Sequence, residues 1–346
     1  MARLALVSFR LGGVDGVSVE CAKWTAALRT LGHEVVLVAG EGHANVLVEG
    51  LAIGAPRAPR RDELERALDG AELVIVENVA SLPLNVRARE VLYRVLEGRR
   101  ALFHHHDLAW QRASLAHLAG PRDGADWTHV TINELSRRQL AERGIAAQTL
   151  RNSFDCDPPA GQRAATRRAL GLSDEILVLQ PTRAIARKNI EGSLALSAAL
   201  GAVLWLLGPV EEGYDDEFRR LVHESNVSMR RGLPAGRTIH DAYAAADVVV
   251  MASTWEGFGN PVLESVTHRR PLALHPYPVA REITDFGFTF FALDDERALR
   301  EFLRAPDESL LERNRAIARQ HFNLADLPRR LDELLQSAGV QTAGSL

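Results

Sequence analysis

Glu256 and Glu264 are separated by seven residues that include Gly257, Phe258, Gly259, Asn260 and Pro261. The stretch follows an apolar run at 248–252, Val-Val-Val-Met-Ala, which reads as a buried parallel strand. It leads into 260–266, predicted as a helix with Asn260 as its cap and Pro261 at its first position. The glycines therefore fall on a strand-to-helix turn. There, backbone N–H groups and the positive end of the helix dipole can meet an anion such as a diphosphate. The two carboxylates cannot bind phosphate, but they can accept hydrogen bonds from the vicinal hydroxyls of a sugar or ribose. An anion site between two hydroxyl clamps points to a nucleotide-sugar.

Arg183 and Lys188 follow the predicted strand 176–180 and leave its carboxyl end, where open α/β sheets bind ligands. An Arg fork with a Lys point charge would neutralise a diphosphate leaving group. A solvated basic loop is the commoner fate of such a pair; the motif at 256–264 in the same domain favours the functional reading. Only Lys23 and Lys188 are lysines among the 41 basic residues, so Lys188 stands out against a strong Arg bias.

In the first half, Gly12 and Gly13 lie in Leu11-Gly12-Gly13-Val14-Asp15-Gly16, between the first strand and the first helix. They would let backbone approach a substrate or phosphate, or simply make a tight turn. Their spacing departs from G-x-G-x-x-G, which argues against a dinucleotide fold. Asp15 is a polar candidate for the acceptor side whose role could equally be helix capping. His104-His105-His106-Asp107 ends a first-domain strand. Adjacent strand residues point to opposite faces, so three histidines in a row do not converge easily on one ion, and no metal site is expected. One of them, with His106 the best placed, would face a substrate beside Asp107. Asp155-Cys156-Asp157 has a D-x-D pattern, but its Pro-rich setting without a strand favours a linker.

These residues need a scaffold, and the pattern supplies one. Strands are predicted at 4–9, 34–39, 73–77, 101–104 and 128–132, with helices at 17–31, 83–97 and 133–142 between them. A second series has strands at 176–180, 202–207, 248–252, 271–275 and 289–293, with helices at 190–200, 215–223, 238–246 and 260–268. Such alternation predicts parallel sheets covered by helices on both faces. The turn-rich segment 152–161 marks the break. The expected architecture is α/β, with two Rossmann-like doubly wound domains facing each other across a cleft. The first spans 1–153 and the second 154–323, and a C-terminal helix at about 324–340 packs back onto the first.

With a net charge of -4, the 346-residue chain offers a nucleic-acid partner no global attraction. Two cysteines, Cys21 and Cys156, suit a reduced cytoplasmic protein rather than a disulfide or zinc framework. No apolar run approaches the ~18 residues of a membrane span, and the N-terminus reads directly as a strand. Arg87, Arg89, Arg94, Arg99 and Arg100 would suit peripheral contact with anionic lipid, although a solvated helix face is the simpler reading. Cys21, Trp24 and Leu28 read as core.

Taken together, the motifs resemble the retaining, GT-B-fold glycosyltransferases of family four over nearly the whole chain. The resemblance is carried by the E-x7-E stretch Glu256 to Glu264 and by Arg183 and Lys188 as an R-x4-K pair. His106-Asp107 and the interdomain segment 150–155 add to it, with Ser153 where that family usually has Gly. It implies that Arg183 and Lys188 hold the donor diphosphate, Glu264 the ribose hydroxyls and Glu256 the donor sugar. Backbone around Phe258, Gly259 and Asn260 would bind sugar and phosphates, Gly13 would approach the diphosphate from the first domain, and His106 would lie near the reacting face. Family members transfer sugar from a nucleoside diphosphate with retention and need no metal or other cofactor. The donor would be a UDP- or GDP-linked hexose, and glucose, mannose and N-acetylglucosamine all stay open. The acceptor, a small molecule, glycan or lipid-linked sugar, would meet the loops 40–58 and 109–127, the latter with His117, Arg122 and Trp127. A nucleotide-sugar epimerase on the same architecture and a non-catalytic nucleotide-sugar-binding subunit are the rival readings.

Overall fold

The computed structural model describes residues 1–13 and 15–340, in two units. The first comprises residues 1–153 and the chain from 324 onward, and the second Phe154–Asn323.

In the first unit the strands are β1 (Arg3–Leu11), β2 (Glu34–Gly42), β3 (Val46–Leu47), β4 (Leu73–Glu77), β5 (Ala101–His105), β6 (Trp127–Thr131) and β7 (Ala147–Thr149). All pair in parallel, in the order β3-β2-β1-β4-β5-β6-β7. The helices α1 (Gly16–Thr30), α2 (Arg61–Ala67), α3 (Val86–Leu96) and α4 (Glu134–Ala141) connect them. Every residue of β4 and β5 is buried, including Glu77, His104 and His105 at their carboxyl ends, as strands covered on both faces require.

The second unit has β8 (Leu177–Gln180), β9 (Val203–Leu206), β10 (Met229–Arg231), β11 (Val248–Met251), β12 (Leu272–Leu274) and β13 (Phe291–Ala292). Again all pairs are parallel, in the order β10-β9-β8-β11-β12-β13. Around them lie α5 (Arg163–Ala169), α6 (Ile190–Leu200), α7 (Asp215–Ser225), α8 (Ile239–Ala245), α9 (Asn260–Thr267), α10 (Ala280–Thr284), α11 (Glu296–Arg304) and α12 (Glu308–His321). The chain then returns to the first unit as α13 (Leu327–Ser337). Leu327, Leu331, Leu334 and Leu335 of α13 share one core with Cys21, Trp24 and Leu28 of α1. The i, i+4, i+7, i+8 spacing of those leucines gives the helix one apolar stripe, which α1 covers.

Several elements differ from the sequence reading. Helices α2, α5, α10, α11 and α12 and strands β3, β7 and β10 were not expected; most are short, or amphipathic with charge-rich exposed faces. α9 begins at Asn260, and its cap is Gly259, in the left-handed region at φ 96°. Asn260 is therefore the first helical residue and not the cap: a left-handed cap favours glycine. Of the basic residues of α3 and its exit, Arg87, Arg94 and Arg100 are exposed, as a solvated face requires, but Arg89 is not. Arg89 is buried and donates to Ala119 O at 2.6 Å, Arg87 reaches Ala55 O and Pro56 O, and Arg99 reaches Leu68 O. These guanidiniums donate to backbone carbonyls outside α3. Among the described residues no helix is long and apolar enough to cross a membrane.

Candidate functional site

In the second unit, the predicted donor residues lie beyond the carboxyl ends of β8 and β11, Arg183, Lys188, Glu256, Phe258 and Gly259 ahead of α9 and Asn260 and Glu264 on it. The segment after β8 is strapped to its neighbours by backbone: Gly208 N donates to Thr182 O, Ala184 N to Pro209 O and Glu211 N to Ala184 O, at 2.8–3.1 Å. A Cβ at Gly208 would lie 2.6 Å from Arg183 Cα, so only glycine permits this approach. Arg183 Nη1 meets Glu211 Oε2 at 2.5 Å, with Glu212 at 3.9 Å. The next turn carries Lys188, whose ammonium is bonded to Glu256 Oε1, while Arg187 Nη1 reaches Glu256 Oε2 at 3.0 Å. Gln180 holds Lys188 O, and Asn189 ties the turn to Ala252 O. Lys188 and Glu256 are each about nine-tenths buried.

Burial pushes the Glu256 carboxyl up, but the charges of Lys188 and Arg187 overcome this and hold it below its ordinary value. Burial lowers the Lys188 ammonium, and Glu256 offsets only part of that. The result is one carboxylate gripped by two cations, with Arg183 close in sequence and held by its own carboxylates. Glu264, on α9, accepts from Tyr243 Oη at 2.5 Å, and burial with that carboxylate raises the phenol well above its ordinary value. Tyr243 stacks on His268 at 4.5 Å. Phe258 is buried, and its carbonyl accepts from Tyr277 Oη at 2.7 Å, which fixes the turn ahead of α9. The D-x-D segment serves structure: Asp157 pairs with Arg315 and Arg319, and Cys156 is buried.

In the first unit, Gly12 takes φ +79°, and a Cβ there would lie 2.7 Å from His43 Cβ. Val14, inside the same turn, lies outside the described residues. Gly13 is exposed, with Asp15 Oδ2 3.0 Å from where its Cβ would stand. Asp15 caps α1 by accepting from Ser18 N and pairs with Arg10 at 3.2 Å. Asp107 pairs with Arg112 at 2.6 Å.

The three histidines split by strand alternation. His105 faces His129 across 2.9 Å, and burial holds both imidazoles below their usual range. His104 and His106 share the other face with Glu77 of β4, whose Oε2 lies 2.9 Å from His104 Nδ1 and 2.8 Å from His106 Nε2. Glu77, His104 and His106 are a group that could hold a metal ion by ligand geometry, their ligand atoms lying within 4.8 Å of one another. The sequence reading foresaw no such convergence, because it weighed three adjacent residues and not the i, i+2 pair with a neighbouring strand. Burial pushes the Glu77 carboxyl up, yet the two imidazoles outweigh it and bring it down to about 2. Burial lowers His104, and Glu77 does not restore it, whereas the bond to Glu77 raises His106 above its ordinary value.

Glu77, Arg187, Gly208, Glu211 and Tyr243 went unnoticed in the sequence because none belongs to a spaced motif. Lys23 matches Lys188 in kind: its ammonium lies 2.5 Å from the buried carboxylate of Glu20 and 2.6 Å from Ser153 O. Both lysines of this Arg-rich chain neutralise buried glutamates.

Two parallel Rossmann-like units of seven and six strands define the GT-B class of fold. Among solved structures, the chain is similar to an Anabaena protein, HepE, in complex with UDP and glucose. The match has a TM-score of 0.76 and 15% identity, over 97% of this chain and 100% of that one. It is likewise similar to a sucrose-phosphate synthase from Thermosynechococcus elongatus, with a TM-score of 0.74 and 18% identity, over 97% and 99% of the two chains. Residues 190–305 match the family model described as glycosyl transferases group 1. The chain is 26% identical to the mannosylglucosylglycerate synthase of Thermotoga maritima, over 90% of this chain and 89% of that one. It is 24% identical to the enzyme of the same name from Petrotoga mobilis, over 84% and 86%. The chain has the GT-B fold, and the segment match together with the two synthases supports glycosyltransferase activity.

Proposed function

We propose that the chain transfers a hexosyl unit from a UDP- or GDP-linked sugar to a hydroxylated acceptor, with retention of configuration and without a metal. The observation that carries this reading is the cationic cluster at the carboxyl ends of β8 and β11. Arg183, Arg187 and Lys188 stand in one short segment, beside a carboxylate and ahead of the helix that follows Gly259. In this reading Arg183, Lys188 and the N-terminus of α9 stabilise the negative charge of the departing diphosphate. The diphosphate takes the place of Glu211 on the Arg183 fork, since both compete for the same N–H groups. Glu264, oriented by Tyr243, accepts from the ribose, and Glu256 contacts the donor sugar. Backbone at Gly12, Gly13, Phe258, Gly259 and Asn260 approaches the donor, and His106 works near the reacting carbon, with Asp15 and Asp107 toward the acceptor. The two similar synthases bear names that describe mannose joined to glucosylglycerate. Mannose is accordingly the first donor sugar to test, and a small polar glycoside carrying a carboxylate the first acceptor.

The experiment is a thermal-shift series with UDP- and GDP-sugars, followed by transfer assays with and without acceptor. We expect one nucleotide class to stabilise the protein and the Arg183→Ala variant to lose about 100- to 1,000-fold in kcat, as for other removed charge stabilisers. A protein that binds no nucleotide-sugar, or an Arg183→Ala variant with near-normal turnover, would overturn the assignment. Acceptor-free change of the donor would favour an epimerase.

A further inference from the structure

The end of β4 and the end of β5 are joined by bonds that the fold alone does not need. Asn78 follows Glu77 directly and is buried in the left-handed region, at φ 62°. Glycine would hold that conformation most cheaply, so an asparagine there calls for a reason. Its Oδ1 supplies one, accepting from Ser81 Oγ at 2.9 Å, from His106 N at 3.1 Å and from Asp107 N at 3.2 Å. The carboxamide thus sets the main chain of His106-Asp107 while its neighbour, Glu77, holds the ring of His106 through Nε2. Trp24 stacks on His104 at 4.1 Å and confines the second imidazole on the same carboxylate oxygen. The other oxygen of Glu77 is buried without a partner, as is Nε2 of His104. A buried acceptor left in this state raises the cost of the arrangement, which a purely structural role would not select.

We infer that Glu77 and Asn78 are positioning residues for His106: Glu77 fixes the ring and keeps Nε2 a donor to its carboxylate, and Asn78 fixes the backbone. This rests on the proposed reading in which His106 works at the reacting sugar. With Nε2 committed to Glu77, Nδ1 is the ring nitrogen that can be offered to a substrate. The carboxylate is placed to fix the orientation and tautomer of the ring, as second-layer carboxylates do for functional histidines elsewhere. The charged and titratable groups facing His106 are Glu77 on β4, His104 on β5, Glu20 on α1 with its partner Lys23, and Asp107 next in the chain.

The test uses the full chain with ¹⁵N-labelled histidine. At one fixed pH, NMR reads which ring nitrogen of His106 carries hydrogen in the wild type, in Glu77→Gln and in Asn78→Gly, with kcat and donor KM measured in parallel. Glu77→Gln preserves the side-chain shape but removes the charged acceptor; we expect the His106 ring-nitrogen signals to shift and kcat to fall at least tenfold with donor KM little changed. Asn78→Gly keeps the backbone conformation and loses three acceptor bonds; we expect kcat to fall while the His106 ring-nitrogen signals stay near those of the wild type. Asn78→Asp, which restores the acceptor, should recover most of the loss. Unmoved His106 ring-nitrogen signals in Glu77→Gln, or normal kcat in both Glu77→Gln and Asn78→Gly when His106→Ala is inactive, overturns the inference. So does a stoichiometric metal in the purified protein that Glu77→Gln loses, because Glu77 would then be a ligand. Wild-type turnover in His106→Ala removes the proposed role of His106 instead, and the hold of Glu77 on the ring is then judged on the ring-nitrogen signals.

Discussion

Replacing Gly259 with alanine tests the turn that precedes α9 more directly than any charge change. The residue sits at φ 96°, where an L side chain is strained by about 1–2 kcal/mol. The added Cβ would lie 2.1 Å from Tyr277 Oη and 3.0 Å from its Cζ, with Met251 Cε at 3.5 Å. Tyr277 is 2% exposed, so its ring has little room to retreat. Moving the hydroxyl also breaks its 2.7 Å bond to Phe258 O and leaves a buried donor and acceptor unmatched, which costs a further ~1–3 kcal/mol. The expected loss is about 2–5 kcal/mol, focused on α9. Urea unfolding gives the total, and hydrogen exchange of peptides covering β11 and α9 assigns it to the second unit. The double variant Gly259→Ala/Tyr277→Phe removes the clashing oxygen. It should be more stable than the two single losses predict together, by ~1–2 kcal/mol. A Gly259→Ala protein within about 0.5 kcal/mol of wild type, or strict additivity in the double variant, would refute the reasoning.

Glu256→Gln leaves the ammonium of Lys188 buried without its counter-charge, so a loss of ~3–5 kcal/mol is expected in urea unfolding; Glu256→Gln/Lys188→Met should recover much of it. Leu331→Ala empties a buried position of α13 against α1 and should cost ~2–4 kcal/mol, read by urea unfolding followed on Trp24 fluorescence. Burial lowers the pKa of His104, His105, His129 and His268, the last to about 4. Each contributes stability that is present above the unfolded value near 6.5 and is lost as pH falls through its folded value. For His268 the loss approaches ~3 kcal/mol. His106, raised by Glu77, has the opposite sign and is outnumbered. The midpoint of thermal unfolding should therefore drop between pH 6.5 and 4, and a flat profile there would contradict these burials.

Much of the site was legible because its chemistry is local in sequence. The strand, the glycine turn and the helix around 256–264 follow each other without interruption, so periodicity and turn chemistry place Glu256 and Glu264 on either side of a helix N-terminus. Arg183 and Lys188 follow a strand in the same way. The histidine segment was only half legible. Alternation predicts that His104 and His106 share a face, but nothing in 104–107 announces Glu77, which is 27 residues from His104 and joins it through the register of β4 with β5. The same applies to Glu211, brought to Arg183 by the adjacency of β8 and β9, and to Tyr243, brought to Glu264 from α8. Arg89 misled because its charge suggests solvent; it is buried, and its partner is the carbonyl of Ala119, which no local pattern predicts.

The order of elements, the parallel character of both sheets and the residue types at the donor loops were written in hydrophobic period, glycine and proline placement, and charge. These depend on neighbours a few residues apart, and short-range sterics and burial act on them directly. Tertiary structure decided the partners. It chose Glu256 as the counter-charge of the buried Lys188, and Glu77 as the carboxylate that His104 and His106 share. Those outcomes depend on desolvation and on distances of about 3 Å between residues far apart in the chain, and only strand order and register set such distances.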